Sequence, residues 1–328
     1  MSASNGAVTR RKTMFVNTRK AWSACAIGVL STLSAWTAQG QLFVAYSGFY
    51  NGQGGVGEYS LSGDTINTKF IYGYDGCSGL RMDGNGNLWV GNSAGFGVWE
   101  YTTSGTYLGG LPFGAAVGSP GDLAVDGSGH LFVAYQGGPV GQYTTSGGIV
   151  NNYFISGFPP GGLAVVGNSL FVADPIAGAV REYTTAGVLV NPSLIAGLNE
   201  PGDLVYDGSG HLFVANRGNG TIGEYNLSGT AVNASLISGL NSLGGLALDG
   251  NGNLFVAVSG SGPGGLTDTI AEYTTSGDLA NASLITDLPG AGEIVVAPEP
   301  SSLALAGLGI GLLCLGLRRT GARQGVAR

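Results

Sequence analysis

Apolar residues along the body of this chain come in short bursts of about four, separated by polar, glycine-rich stretches. One burst recurs six times: Leu42-Phe43-Val44-Ala45, Leu88-Trp89-Val90-Gly91, Leu131-Phe132-Val133-Ala134, Leu170-Phe171-Val172-Ala173, Leu212-Phe213-Val214-Ala215 and Leu254-Phe255-Val256-Ala257. A tyrosine follows each, at 59, 101, 143, 183, 225 and 273, spaced 42, 42, 40, 42 and 48 residues apart. A shorter burst precedes every core but the first, marked by Leu80, Leu123, Leu163, Leu204 and Leu246. A last copy, Glu293-Ile294-Val295-Val296, ends the series. No window carries a helical period, so every burst predicts a strand.

Each unit therefore reads as four short strands, A to D: the short burst, the four-residue core, the Glu-Tyr segment and a stretch such as Ala234-Ser235-Leu236-Ile237. Asp-Gly-Ser-Gly-His or Asp-Gly-Asn-Gly-Asn between A and B is hairpin chemistry, in which glycine supplies positive φ. Four strands in a repeat of about 42 residues is the pattern of a propeller blade. The first unit lacks strand A and the last strand is an orphan A. Pairing 293–296 with the first blade closes the ring and removes its open edges. The expected fold is an all-β, six-bladed propeller of four-stranded blades.

Two longer apolar stretches lie outside the repeats, one at each end. No acid precedes Glu58, while Arg10, Arg11, Lys12, Arg19 and Lys20 lead into an apolar run from Ala24 to Trp36 and then Ala38-Gln39-Gly40. That is a signal peptide over 1–40, with translation starting at Met1 or Met14. At the other end Pro298-Glu299-Pro300-Ser301 precedes fifteen uncharged residues, Leu303 to Leu317, and then Arg318-Arg319. The run makes a helix of about 22 Å, short against a hydrocarbon core of about 30 Å, and the arginines hold its end on the cytoplasmic side. This order of motif, helix and basic stop over 298–328 resembles the PEP-CTERM sorting signal of exported bacterial proteins. The resemblance implies an exosortase-type processing enzyme as partner, membrane attachment through the helix before processing, and delivery to the cell envelope, surface or extracellular matrix. It also implies an association with exopolysaccharide and biofilm.

Charge then narrows the partners. The formal charge is −7, but the cations sit mostly in the two ends. The body from 41 to 297 holds four (Lys69, Arg81, Arg181, Arg217) against nineteen acids. Such a surface repels nucleic acid and anionic lipid, and favours cations or neutral polymers. Cys77 is alone in the body, so no internal disulfide forms.

The run from Pro201 to Asn216, Pro-Gly-Asp-Leu-Val-Tyr-Asp-Gly-Ser-Gly-His-Leu-Phe-Val-Ala-Asn, is similar to NHL-type repeats and more loosely to gluconolactonase/SMP-30 propellers. The latter resemblance implies a divalent metal held two places before the strand A leucine. Here those places are Ser78, Gly121, Gly161, Gly202, Gly244 and Gly292, which offer no carboxylate or amide. One place later the residues run Gly79, Asp122, Gly162, Asp203, Gly245, Glu293: acid alternates with glycine. Two readings stand for Asp122, Asp203 and Glu293. They hold a hard cation such as Ca²⁺ at the tunnel mouth, or they accept backbone N–H bonds where the strands start. No other cofactor is expected.

Only the first and last blades have long B–C connections, roughly 46–57 and 258–269, and ring closure makes them neighbours. They add Phe49, Tyr50 and Asp268 to the same face as a candidate binding patch, with aromatics suited to stacking on sugar rings. His130 and His211 occupy one repeat position on the opposite face with no nucleophile beside them. The Glu-Tyr pairs read as strand packing with an outward carboxylate. The chain thus reads as a non-enzymatic exported module that binds polysaccharide, envelope protein or cation. A metal-dependent lactonase-like hydrolase or lyase is the alternative. The tail starts on the side away from Glu293, so the loop face points outward.

Overall fold

The computed structural model describes residues 40–47, 54–74, 76–93, 97–112, 117–260 and 268–297. All regular elements among them are strands. The first blade takes β1 (Gln41–Tyr46), β2 (Gly54–Ser60) and β3 (Thr65–Tyr74). The second takes β4 (Cys77–Met82), β5 (Asn87–Asn92), β6 (Gly97–Thr102) and β7 (Tyr107–Pro112). The third has β8 (Pro120–Val125), β9 (His130–Tyr135), β10 (Val140–Thr144) and β11 (Ile149–Ile155). The fourth has β12 (Leu163–Val166), β13 (Ser169–Asp174), β14 (Ala179–Thr184) and β15 (Leu189–Ala196). Blade five is β16 (Pro201–Tyr206), β17 (His211–Asn216), β18 (Thr221–Asn226) and β19 (Ala231–Ile237). Blade six is β20 (Leu243–Leu248), β21 (Asn253–Val258), β22 (Asp268–Thr274) and β23 (Leu279–Leu288). The final strand, β24 (Ala291–Ala297), returns to the first blade.

That return closes the ring. β24 pairs antiparallel with β1, placing Gln41 opposite Ala297, Val44 opposite Ile294 and Tyr46 opposite Ala291. The sheet order is β24-β1-β2-β3, so the first blade borrows its innermost strand from the C-terminal end. The closing strand is longer than the four residues expected, because Ala291 and Ala297 also join the ladder.

The core is six layers, each filled from two adjacent blades. Leu42 and Val44 pack against Phe255, Ala257 and Ile270 of blade six. Phe43 and Ala45 pack against Leu80, Leu88 and Val90 of blade two. Successive residues of a strand point to opposite faces, and here both faces are covered, so strand B reads as an unbroken apolar run. Fully burying each of its phenylalanines contributes about 1.5–3 kcal/mol, and Phe43, Phe132, Phe171, Phe213 and Phe255 are all buried.

The A–B turns owe their shape to aspartate as much as to glycine. Asp83, Asp126, Asp207 and Asp249 each accept, through Oδ1, the N–H groups two and four residues on. His130 Nδ1 and His211 Nδ1 then contact Asp126 Oδ2 and Asp207 Oδ2 at 2.8 and 2.9 Å. Both histidines brace turns.

The carboxylates of the Glu-Tyr pairs, expected to point outward, are half-exposed in Glu100, Glu182, Glu224 and Glu272. Glu58 is buried and accepts a bond from Gln41 Nε2 at 2.6 Å. Glu100 and Glu182 likewise take Asn87 Nδ2 and Ser169 Oγ, each at 2.8 Å. These carboxylates turn to the residue that opens strand B.

Candidate functional site at the ring axis

Asp122, Asp203 and Glu293 sit on the innermost strands β8, β16 and β24, and one oxygen from each lies within 4.8 Å of the others. All three are buried. They form part of the wall of a cavity of about 400 Å³ at the face where the B–C connections lie. Ser47, Gln136, Arg217 and Ser259, which begin those connections, line it with them.

The alternation with glycine has a steric cause. A Cβ on Gly162 would stand 2.7 Å from the Cα of Asp203, and one on Gly245 would stand 2.7 Å from the Cα of Glu293. A Cβ on Gly79 would stand 3.5 Å from the Cα of Asp122 and 3.0 Å from Leu123 Cγ. Innermost strands approach so closely that each acid-bearing strand needs a bare neighbour.

Both aspartates are tied into the backbone. Asp122 accepts the N–H of Leu123 at 2.6 Å through Oδ1 and that of Leu163, in the next blade, at 2.6 Å through Oδ2. Asp203 repeats this with Leu204 at 2.7 Å and Leu246 at 2.6 Å. Glu293 stands against them, one of its carboxylate oxygens within 4.8 Å of an oxygen of each aspartate.

Electrostatics follow from burial. Burial and then the charge of Asp203 push the Asp122 carboxyl up to about 7. Asp203 is raised chiefly by burial, and Glu293 well above the usual range by burial and the charges of Asp203 and Asp122. Arg81 opposes the shifts of Asp122 and Asp203, and Arg217 those of Asp203 and Glu293. Arg81 lines a second cavity, of about 470 Å³, with Val165, Val205, Leu246 and Val295 from four other blades. Two of the body's four cations therefore act on this one cluster.

Sequence reasoning missed both arginines. Arg81 follows the strand A leucine, where the other units have Ala124, Ala164, Val205, Ala247 and Val295; Arg217 comes directly after strand B, where Ser47, Ser93, Gln136, Pro175 and Ser259 stand. A comparison of those columns is the signal that would have found them.

The donor set matches a hard cation in spacing, since about 2.3–2.6 Å per Ca²⁺–oxygen bond spans the separations here. All four aspartate oxygens, however, already accept backbone N–H bonds, and two guanidinium groups balance part of the charge. Asp268 lines the same cavity, buried, and accepts the N–H of Gly260 at 3.0 Å. Phe49 and Tyr50 lie outside the described residues. So do Pro298, Glu299, Pro300, Ser301, Arg318, Arg319 and the expected membrane helix. Among the described residues no helix is long and apolar enough to cross a membrane. Cys77 is buried, its thiol pushed up to about 12 by burial.

At the far end of β24 the chain runs into residues 296–319, which match the PEP-CTERM protein-sorting motif. This chain carries a PEP-CTERM sorting signal. The signal marks a protein that is exported and sorted to the cell envelope or surface, and here its cargo is a propeller. No curated protein matches the chain. Solved structures do. A protein of unknown function from Bacteroides caccae is 17% identical, with 79% of this chain and 99% of that one covered and a TM-score of 0.56. The nidogen/laminin complex is 13% identical, with 79% and 99% covered and a TM-score of 0.63. A functionally unknown protein from Desulfotomaculum acetoxidans is 17% identical, with 78% and 85% covered and a TM-score of 0.54. These likenesses establish the fold.

Proposed function

We propose that this PEP-CTERM propeller is a non-enzymatic binding or structural module of the bacterial envelope or exopolysaccharide matrix, delivered there through an exosortase-type enzyme. One observation carries the reading: the sorting motif begins inside the strand that closes the ring. Val296 and Ala297 belong both to the ladder with β1 and to the motif. β24 runs from Ala291 at the mouth face to Ala297 at the opposite face. A tether continuing from Ala297 therefore leaves the tunnel mouth directed away from the membrane. The two aspartates at the axis support a role without catalysis, because their oxygens hold neighbouring blades together.

The test is cell fractionation with intact-mass measurement, in a host with and without the processing enzyme. Processed protein is expected at the surface or outside, and a longer, membrane-held form is expected without the enzyme or with Pro298, Glu299 and Pro300 changed to Ala. Identical location and mass in every case would overturn the reading.

The spacing of Asp122, Asp203 and Glu293 supports a second reading, a metal-dependent hydrolase or lyase. Thermal unfolding with Ca²⁺, Mg²⁺, Mn²⁺ or Zn²⁺ separates the two. A midpoint that no ion moves sinks the second.

A further inference from the structure

The outer strands of the two blades that flank the seam depart from the repeat together. β3 and β23 run for 10 residues each, against 6, 7, 8 and 7 in β7, β11, β15 and β19. Between them lies a groove of about 620 Å³. Its floor is buried and largely apolar: Tyr46, Tyr59, Ile285 and Leu288. Its rim is exposed and polar or aromatic: Thr68, Lys69, Tyr72, Thr286 and Asp287.

The ladders give the equivalent positions. Ile71, Leu111, Ile155, Ile195, Ile237 and Ile285 each face the same residue of strand C. The next residue is Pro112, Ser156, Ala196, Ser238 or Thr286 in five blades and Tyr72 in the first. Tyr72 is 45% exposed, and the Lys69 ammonium lies 4.7 Å from its ring centroid. One residue further on stand Gly73, Gly157, Gly197 and Gly239, all with φ between 75° and 100°. Blade six has Asp287 there, held at φ 61°.

A side chain in that left-handed region is strained and persists where something favours it. Here it delivers a carboxylate to the groove, with Thr286 Oγ1 donating to Asp287 Oδ2 at 3.2 Å. Three departures that the scaffold does not require, Lys69, Tyr72 and Asp287, thus line one groove.

The geometry points to a binding site for a neutral saccharide chain at the seam, between the outer strands of blades one and six. A pyranose ring has an apolar face, which suits the Tyr72 ring and the apolar floor. Its rim of vicinal hydroxyls suits the carboxylate of Asp287, the threonine hydroxyls and the Lys69 ammonium. One cation and one anion leave the rim near neutrality, so an acidic polymer gains little there.

The site rests on the reading of the protein as an exported binding module, and its test is independent of sorting. The full-length protein is run in native gels containing dextran, β-glucan, galactomannan or alginate. A neutral polymer is expected to retard it. Y72A and D287G are each expected to lower that affinity at least tenfold, and Y153A, on the exposed outer strand of blade three, to leave it unchanged. D287G is expected to melt no lower than the parent, because glycine suits the backbone. No retardation by any neutral polymer overturns the site, as does stronger retardation by alginate, unchanged affinity in Y72A and D287G, or equal loss in Y153A. A correctly sorted protein that binds no saccharide sinks the groove alone. A protein that binds but is never exported sinks the broader reading instead.

Discussion

The carboxylate of Asp122 and the backbone N–H of Leu163 are 41 residues apart in the chain and 2.6 Å apart in space, in adjacent blades. Asp203 and Leu246 repeat the relationship two blades on. A strand start facing the axis has no further strand to pair with, so a side chain from the neighbouring blade satisfies its donor. The axis is held by hydrogen bonds as well as by apolar packing.

Removing the acceptor should therefore cost more than a surface change. In D122A the buried N–H of Leu163 loses its partner, and an unsatisfied buried donor costs about 1–3 kcal/mol. D203A should do the same through Leu246. Urea unfolding of both variants checks this; two losses below about 0.5 kcal/mol, the usual range for surface sites, would refute the strut role.

The same cluster sets an unusual pH dependence. Burial and the charge of Asp203 raise Asp122 from 3.8 to about 7 in the fold, and Asp203 and Glu293 move the same way. A carboxyl raised by folding binds its proton more tightly in the native state. Its contribution is complete below the ordinary value near 3.8 and is lost as pH climbs through about 7. Asp126 and Asp207 shift the other way and act only at the acid end. Melting temperature should fall as pH rises from about 4 to about 7, in the window those shifts define. E293Q and D122N should flatten the slope; an unchanged slope in both would place its origin elsewhere.

The repeat was legible because the layers between blades demand it: Leu42 and Val44 face one neighbour, Phe43 and Ala45 the other, so both strand faces must be apolar. The axial acids were legible in one column of that repeat, where alternation with glycine records how closely the inner strands pass. Arg81 and Arg217 were not, since they reach the cluster from different columns. Tyr72 and Asp287 were hidden by the outer strands themselves. Each outer strand shifts register near Asn67, Asn151, Asn191, Asn233 or Asn281, with the shift in blade two falling beside Gly109, and only the ladders reveal which residues correspond. The Glu-Tyr carboxylates were legible only in part: four stay half-exposed, while Glu58 is buried against Gln41, a partner the spacing does not name.

Glycine substitutions separate close approach from mere turn composition. An alanine Cβ at Gly162 would meet the backbone of Asp203 and Gly202 at 2.7 Å, and backbone at the ring axis cannot give way. G162A should lose about 1–3 kcal/mol or more, as overpacked cores do. Gly84 sits in an A–B turn without positive φ, and a methyl group there would have open space for 4 Å around it. G84A should be neutral or gain about 0.4–1 kcal/mol through the unfolded state. Equal melting temperatures for the two variants would show that the inner strands are not in contact there.

The position of the sorting signal limits where processing ends. Ala297 pairs with Gln41, Val296 with Leu42 and Val295 with Phe43, so the ladder continues into the first residues of the motif. A cut before Ile294 would remove Glu293's strand support and leave β1 as a bare inner edge, an invitation to pair with another chain. The mature C-terminus should therefore lie at or beyond Ala297. Intact mass of the exported protein reads this directly, and an end before Ala297 would contradict it. Two truncations make the same point in purified protein. A chain stopped after Ala297 should run as a compact species on gel filtration. One stopped after Gly290, which lacks all of β24, should aggregate or unfold, because the ring has lost the strand that closes it.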